Sequence, residues 1–191
     1  MKTFSAVLIA VFIAFSANTS YAASCKYQVD TVSYASGEKI RWTRWKMNRM
    51  FHQGSYSLIS GIEEGDRKYL GVQLVDSNKK VRTRPTKAEL DVMMVIPAGA
   101  KLSLLMADES IVDLFTEQDN VADSDFTTNA LDSYSIESAV IIKFPLSAEA
   151  FAALSTQKVM EARVHTDQRQ YDYSFGKKGS DKIQEALACI L

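Results

Sequence analysis

The sequence of 191 residues has few of the residues that usually mark a catalytic or cofactor site. It contains two cysteines, two histidines and three prolines. A serine-nucleophile elbow, a zinc-protease helix, a glycine-rich phosphate loop and a C-x-x-C pair are all absent from it. A catalytic triad assembled from residues distant in the sequence stays open, but no residue can be named for it. No cofactor is expected.

An excess of charge of either sign is also lacking. The chain has 22 basic and 23 acidic residues, and residues 1–22 contain one lysine and no acidic residue. Without them the balance is 21 against 23, a net charge of −2. A chain so close to neutral has no global field that recruits nucleic acid or acidic lipid. No nucleic-acid partner is therefore expected.

Long apolar runs are confined to the N-terminus. Lys2 precedes an almost unbroken apolar stretch at residues 4–15, and small residues follow at Ser20 and Ala22. This layout predicts a signal peptide over residues 1–22, with cleavage after Ala22 and no membrane span in the product. An uncleaved anchor is the alternative, although no basic residues follow the stretch to stop transfer. The remaining residues, 23–191, are predicted to form one exported domain, periplasmic or extracellular.

The two cysteines, Cys25 and Cys189, lie near opposite ends of this domain. In an exported chain such a pair predicts a disulfide. Closing a loop of this length contributes roughly 5 kcal/mol in the ideal chain-entropy case. The alternative is a lipoprotein acylated at Cys25, but the usual large aliphatic residue three places upstream is missing, and Cys189 would remain a lone thiol.

Alternating apolar residues predict a mainly β (α+β) fold, either an antiparallel sheet or a β-sandwich. Leu70, Val72 and Leu74 alternate with residues of the opposite face, the period of a half-buried strand. Turns are predicted at Gly61–Asp66 and Asp76–Asn78, and a mobile polar loop at residues 116–133. The other predicted strands are Leu90–Ile96, Lys101–Met106, Ile111–Phe115, Tyr134–Phe144 and a hairpin of Lys158–His165 with Tyr171–Phe175.

Two helices complete the predicted fold. A short helix near 148–155 is predicted from Ser147, a good N-cap residue. A C-terminal helix near 181–190, capped by Ser180 or Asp181, is predicted from an apolar stripe with helical spacing. We expect this stripe to lie on the sheet and Cys189 to reach the first strand near Tyr27 and Val29. The stripe consists of Ile183, Ala186, Leu187 and Ile190.

The segment Lys39–Phe51 is the strongest candidate for a binding face, because basic residues and both tryptophans interleave in it. Arginine beside tryptophan suits an anionic glycan, a lipid headgroup or single-stranded nucleic acid. On a regular strand, however, Trp42 and Trp45 point to opposite faces. The alternative is therefore a sheet strand with one buried tryptophan and a solvated arginine face. The candidate residues are Arg41, Trp42, Arg44, Trp45 and Arg49.

Metal binding has little support in the sequence. His52 and His165 are far apart, and neither has a second ligand at zinc spacing. Asp119, Asp123 and Asp125 supply oxygen ligands of the kind that calcium prefers, but they lack the glycine and distal glutamate of a helix–loop–helix site. The sequence therefore predicts no metal site.

Two function classes remain. The absence of catalytic motifs favours a non-enzymatic binding or accessory module of the bacterial cell envelope, with an anionic envelope component or another envelope protein as its partner. The alternative is a hydrolase or isomerase of unrecognised type acting on envelope material. A pocket in which His52 or His165 has an acidic neighbour would favour that alternative.

Overall fold

A computed structural model describes residues 25–52, 55–91, 94–128, 133–166, 170–175 and 177–190. The predicted signal peptide and its cleavage site after Ala22 lie outside the described residues. The strands are β1 (Tyr27–Val32), β2 (Lys39–Thr43), β3 (Lys46–His52), β4 (Ser55–Glu64), β5 (Arg67–Val81), β6 (Val95–Ile96), β7 (Lys101–Met106), β8 (Ile111–Phe115), β9 (Asn120–Val121), β10 (Asp123–Thr128), β11 (Tyr134–Pro145), β12 (Val159–His165) and β13 (Gln170–Ser174). The helices are α1 (Lys87–Asp91), α2 (Ala148–Thr156) and α3 (Lys177–Leu187), and a 3-10 turn, Ala188–Ile190, follows α3.

The strands form two main antiparallel sheets. The larger sheet has the order β1-β2-β4-β5-β11-β10, and β3 also pairs with β4. The smaller sheet has the order β13-β12-β7-β8, and β6 pairs with β9 separately. Buried residues from both main sheets form one hydrophobic core together with residues of α2 and α3. The predicted mainly β, antiparallel fold is therefore confirmed.

Strand β11 shows how the pattern of the sequence places this core. Ile136, Val140, Ile142 and Phe144 are buried on one face, while Ile141 on the other face is partly exposed. The predicted alternation is thus confirmed. The predicted strands Lys101–Met106 and Ile111–Phe115 are also confirmed, as β7 and β8, and so is the last hairpin, as β12 with β13.

One predicted turn is wrong, and another is longer than the turn that the structure shows. No turn interrupts the chain at Asp76–Asn78, because β5 continues through them to Val81. Here β5 has one residue more than its partner β11, because the three steps from Asp76 to Lys79 face the two steps from Ser138 to Ile136. The extra residue forms an irregularity of the bulge type within the ladder. The turn predicted for Gly61–Asp66 is limited to Gly65 and Asp66, since β4 extends to Glu64. In both places, pairing with neighbouring strands outweighs local turn preference.

The prediction for Leu90–Ile96 is also wrong. Instead of one strand, the chain forms helix α1 and the two-residue strand β6. Helix α1 begins with a capping box, in which Glu89 Oε2 accepts a hydrogen bond from the Thr86 amide at 2.8 Å, and the Glu89 amide donates to Thr86 Oγ1 at 3.3 Å. The T-x-x-E pattern of a capping box is present in the sequence at Thr86–Glu89. The predicted loop at 116–133 is corrected too, because it contains β9 and β10, whereas residues 129–132 lie outside the described residues.

The two longer helices agree with prediction except at one boundary. Ser147 caps α2 by accepting a hydrogen bond from the Ala150 amide at 3.1 Å. Helix α3 begins at Lys177, about one turn before the predicted caps Ser180 and Asp181. Its predicted apolar stripe is buried. The relative exposures are 1% for Ile183 and 0% for Ala186, Leu187 and Ile190.

The C-terminal helix packs unusually close to β4. A Cβ atom at Gly61 would lie 2.5 Å from the carbonyl oxygen of Ala186, so only glycine allows this approach. An ion pair between Lys46 and Glu185 links the helix to β3. The Tyr27 hydroxyl donates a hydrogen bond to the carbonyl oxygen of Cys189 at 2.8 Å, which confirms the expected contact with the first strand.

The predicted disulfide between Cys25 and Cys189 is confirmed, with a Cα–Cα distance of 5.6 Å. This distance lies within the usual range for disulfides. A sulfur atom in this bond cannot carry a lipid, which argues against the lipoprotein alternative. Within the described ranges, no helix combines the length and the apolar character needed to cross a membrane.

Substituting Gly61 tests the close helix approach. Gly61→Ala should lower the free energy of unfolding by about 1–3 kcal/mol, because the added methyl group meets backbone that cannot move away. Gly71→Ala is the matched control, since its methyl group would meet the ends of two side chains, Ile62 and Trp45, at 2.7 and 3.2 Å. Urea unfolding should show a clearly smaller loss for Gly71→Ala, and equal losses would contradict this account.

Candidate functional site

The segment predicted as a binding face is divided by an irregularity at Arg44 and Trp45. Strands β2 and β3 lie on either side of it, and both pair with β4. Trp42 pairs with Ile62 and Lys46 with Ile59, so four steps along this segment match three along β4. One extra residue is therefore accommodated, which is the definition of a β-bulge.

Two buried hydroxyl groups replace the ladder hydrogen bonds lost at this bulge. Thr43 Oγ1 accepts a hydrogen bond from the Gly61 amide at 2.8 Å. Ser60 Oγ donates to the Thr43 carbonyl oxygen, also at 2.8 Å. Buried polar groups without partners are costly, so these contacts allow the irregularity to lie inside the sheet.

The bulge brings the two tryptophans together. Their ring centroids lie 6.3 Å apart and the ring planes meet at 88°, an edge-to-face contact. The expectation that Trp42 and Trp45 lie on opposite faces is therefore wrong, because the extra residue breaks the strand alternation between them. Both are half-buried, and they lie on the outer face of the larger sheet beside Ile62, which is fully buried, and Gly71.

The basic residues of the segment do not gather around this pair. Arg41 alternates with Trp42 and lies on the opposite side, where it forms an ion pair with Glu63 and stacks 5.5 Å from the centre of the Tyr27 ring. Arg44 is exposed, and the side chain of Arg49 lies outside the described residues. The five candidate residues are thus not brought together into one described face.

The ring of Trp42 already contacts a cationic side chain of the same chain, Lys143. Lys143 Nζ lies 5.0 Å from the Trp42 ring centre and 2.5 Å from Glu64 Oε1. The indole N–H of Trp42 is buried and has no acceptor among the described residues. Packing accounts for these contacts, so the structural interpretation of the tryptophans fits them better than ligand recognition does.

A different surface has the shape of a binding site. The outer face of the smaller sheet forms an open groove of about 590 Å³. Side chains from β7, β8, β12 and β13 line it, and most of them are charged or polar. The lining includes Lys101, Ser103, Ile111, Arg163, His165 and Asp172.

Four charged side chains at this groove are held in pairs, and a fifth, Glu161, has no ion pair among the described residues. Lys101 Nζ lies 3.3 Å from Asp113 Oδ2. The Arg163 guanidinium donates two hydrogen bonds to Asp172, the longer of them 3.3 Å from Nη2 to Oδ2. Such two-point contacts fix the orientation of both side chains. A ligand in the groove would therefore meet polar groups that are already oriented.

Two large apolar side chains stand beside these pairs. Ile111 is 64% exposed and Phe115 is 51% exposed, and both belong to the outermost strand of the smaller sheet, β8. Phe115 pairs with Lys101 across the strands. The groove thus combines oriented polar groups with apolar surface, a combination found in ligand sites.

His165 lies in this groove, with His165 Nε2 3.3 Å from Ser103 Oγ. The Ser103 side chain lowers the pKa of Asp113 by hydrogen bonding to its carboxylate, desolvation opposes the shift, and Lys101 adds to it. In a serine-hydrolase triad the carboxylate contacts the far nitrogen of the histidine. Here the Asp113 carboxylate has its hydrogen bond with Ser103 instead, so this cluster is not arranged as a triad.

Among the described residues, the side chains that the sequence offered as possible metal ligands do not gather into a metal site. In the described part of the chain, no group of three or more His, Cys, Asp or Glu side chains could hold a metal ion. Asp119 accepts a hydrogen bond from the Ala98 amide at 2.7 Å, and Asp125 from the Phe126 amide at the same distance. The side chain of His52 lies outside the described residues.

Sequence reasoning missed the groove because its residues are distant in the chain, as the 62-residue separation of Ser103 and His165 shows. Strand alternation could place both residues on outer faces, but it could not show that β7 and β12 are neighbours. A second surface, the basic stretch from Lys79 to Lys87, could have been noticed from composition alone. The turn predicted at Asp76–Asn78 hid the fact that this stretch begins within β5.

Comparison with protein-family models, with curated proteins and with solved structures finds no match for this chain.

Trp45 provides a test of the structural interpretation. Trp45→Ala should lower the free energy of unfolding by about 1.5–3 kcal/mol, because the indole covers buried residues while remaining partly exposed itself. Arg44→Ala, at the neighbouring exposed position, should change it by less than about 0.5 kcal/mol. Chemical denaturation measures both values. A Trp45→Ala variant as stable as the unmodified chain would show that the tryptophan pair is not structural.

The lowered pKa of Asp113 gives a pH-dependent prediction. Ionised Asp113 should stabilise the fold at neutral pH, and this contribution should be lost as the pH falls through the lowered pKa. Ser103→Ala should raise the pKa of Asp113 toward its ordinary value, whereas Ser174→Ala, elsewhere in the groove, should leave it unchanged. Carboxyl-carbon NMR titration measures the midpoint, and an unchanged midpoint in Ser103→Ala would contradict the assigned cause.

Proposed function

We propose that the protein is an exported, non-enzymatic binding module of the bacterial cell envelope, and that it binds envelope glycan in the groove on the smaller sheet. The observation that carries this proposal is the arrangement of the groove. Four of its charged side chains form two oriented pairs, and exposed Phe115 and Ile111 stand beside them.

The charge balance of the groove favours a hydroxyl-rich ligand. Lys101 and Arg163 are offset by Asp113 and Asp172, and Glu161 adds a further negative charge, so the groove has no cationic excess that would select a strong anion. Hydroxyl groups both donate and accept hydrogen bonds, and can therefore contact either member of an ion pair. A groove of about 590 Å³ falls within the size range of small-ligand sites, which suits a few sugar units.

Binding is favoured over hydrolysis by the setting of Ser103. It lies within β7, which pairs with strands on both sides, so the surrounding backbone N–H groups serve the sheet. A serine nucleophile needs free donors positioned at the developing oxyanion. Together with the position of Asp113 beside Ser103, this setting gives the hydrolase alternative no specific support.

The disulfide supports the envelope as the place of action. A bond between Cys25 and Cys189 persists in oxidising compartments and is rare in reducing ones. The predicted signal peptide gives the same location. Export into the envelope would bring the groove into contact with glycan.

Isothermal titration with soluble glycan strands prepared from the bacterial cell wall tests the proposal. Arg163→Ala should weaken binding about tenfold or more, because hydrogen bonds to charged groups contribute about 1.5–3 kcal/mol. Arg67→Ala is the matched control. Arg67 also pairs with a carboxylate on the surface, that of Glu117 at 2.6 Å, but it lies on the other sheet, so binding should be unchanged.

Equal weakening by both variants, or no binding of glycan strands to the unmodified chain, would contradict the proposal. Shortening of the strands, followed by mass spectrometry, would favour the hydrolase alternative instead.

A further inference from the structure

The most concentrated basic surface lies at the end of β5 and in the segment that leads to α1. Residues 77–88 contain five basic residues and no acidic residue. All five are exposed. We call this surface the basic tip, and it consists of Lys79, Lys80, Arg82, Arg84 and Lys87.

The basic tip differs from the rest of the surface in how its charges are balanced. Lys80, Arg82 and Lys87 take part in none of the ion pairs found between the described residues. The nearby carboxylate of Glu89 accepts hydrogen bonds from the amide and hydroxyl of Thr86, at 2.8 and 2.9 Å. Other cations, such as Arg67 and Arg163, contact acidic neighbours, whereas these three side chains are exposed to solvent.

The basic residues surround the end of the sheet. Lys79 and Lys80 pair with successive residues of β11, Ile136 and Ser135, so they point to opposite faces of the sheet. Arg84 lies 5.5 Å from the centre of the Phe126 ring, which itself contacts Tyr134 edge-to-face. Cationic groups thus lie on both faces, with an aromatic pair on one of them.

We propose that the basic tip docks the protein on the surface of an anionic phospholipid bilayer. Mobile lipid headgroups can contact cations on both faces of a sheet end, which a rigid, flat partner cannot. Lysine is depleted in protein–protein interfaces, whose centres are apolar. None of the large exposed apolar residues belongs to this segment, so it lacks the centre that a protein partner would need.

The strength of such docking follows from the number of charges. One basic residue near an anionic membrane contributes about 1 kcal/mol, which corresponds to about a fivefold increase in the partition coefficient. The attraction decays within about 8 Å at physiological salt. Because the chain as a whole carries a net charge of −1, only a local cluster can provide this attraction, and the basic tip would also set the orientation of the protein.

Sedimentation with lipid vesicles tests this proposal on the exported chain. Vesicles of phosphatidylcholine alone should not bind, whereas vesicles with about one-third phosphatidylglycerol should bind, and added salt should weaken the binding. The triple variant Lys80→Gln/Arg82→Gln/Lys87→Gln should lower the partition coefficient by at least tenfold. Its melting temperature should be unchanged, because the three side chains are exposed.

A second triple variant, Lys26→Gln/Lys39→Gln/Arg44→Gln, is the matched control. It removes the same charge from exposed positions at the other end of the larger sheet and should keep its vesicle binding. Equal loss in both variants would overturn the proposal, since net charge alone would then explain binding. Absence of binding to anionic vesicles would also overturn it, and binding only to a soluble polyglutamate would assign the basic tip to an acidic macromolecule. Glycan binding through Arg163 is independent of each of these outcomes.

Discussion

The larger sheet depends on the missing side chain at Gly61. On one side of β4 the helix α3 approaches until the carbonyl oxygen of Ala186 lies 2.5 Å from the position that a Cβ atom of residue 61 would take. The amide of the same glycine donates to Thr43 Oγ1 and so supports the bulge between β2 and β3. On the side of the sheet opposite the helix, that bulge turns Trp45 toward Trp42. The position of the helix and the contact between the tryptophans therefore both depend on Gly61.

The surface of the protein offers two kinds of electrostatic environment. In the groove of the smaller sheet, Lys101 with Asp113 and Arg163 with Asp172 hold one another in place, so these pairs present oriented polar groups without an excess of positive charge. At the basic tip, three cationic side chains, Lys80, Arg82 and Lys87, are exposed without such pairing. The first arrangement suits a neutral ligand with many hydrogen-bonding groups, and the second a diffuse anionic surface. A module that used both would hold its ligand close to a membrane.

Local sequence patterns predicted those parts of the fold in which side-chain alternation and burial agree. The strands β7, β8 and β11, the Ser147 cap and the buried stripe of α3 belong to this group. The disulfide followed from the number of cysteines and the expected compartment. Failures came where pairing partners outweighed local preference, as at Asp76–Asn78, or where a single extra residue changed the alternation, as between Trp42 and Trp45. The groove could not be predicted, because strand neighbours such as β7 and β12 are set by the packing of the whole chain.

The disulfide also imposes an order in time. Its cysteines are separated by 164 residues, so Cys25 emerges first during N-to-C synthesis or transport and has no partner in its own chain until Cys189 follows. With two cysteines, only one intramolecular bond can form, and oxidation yields no scrambled isomers. The competing reactions join a cysteine to another molecule, such as a second copy of the chain. Crowding of unfinished chains, rather than mispairing within one chain, is therefore the hazard that this architecture presents to the machinery of its folding.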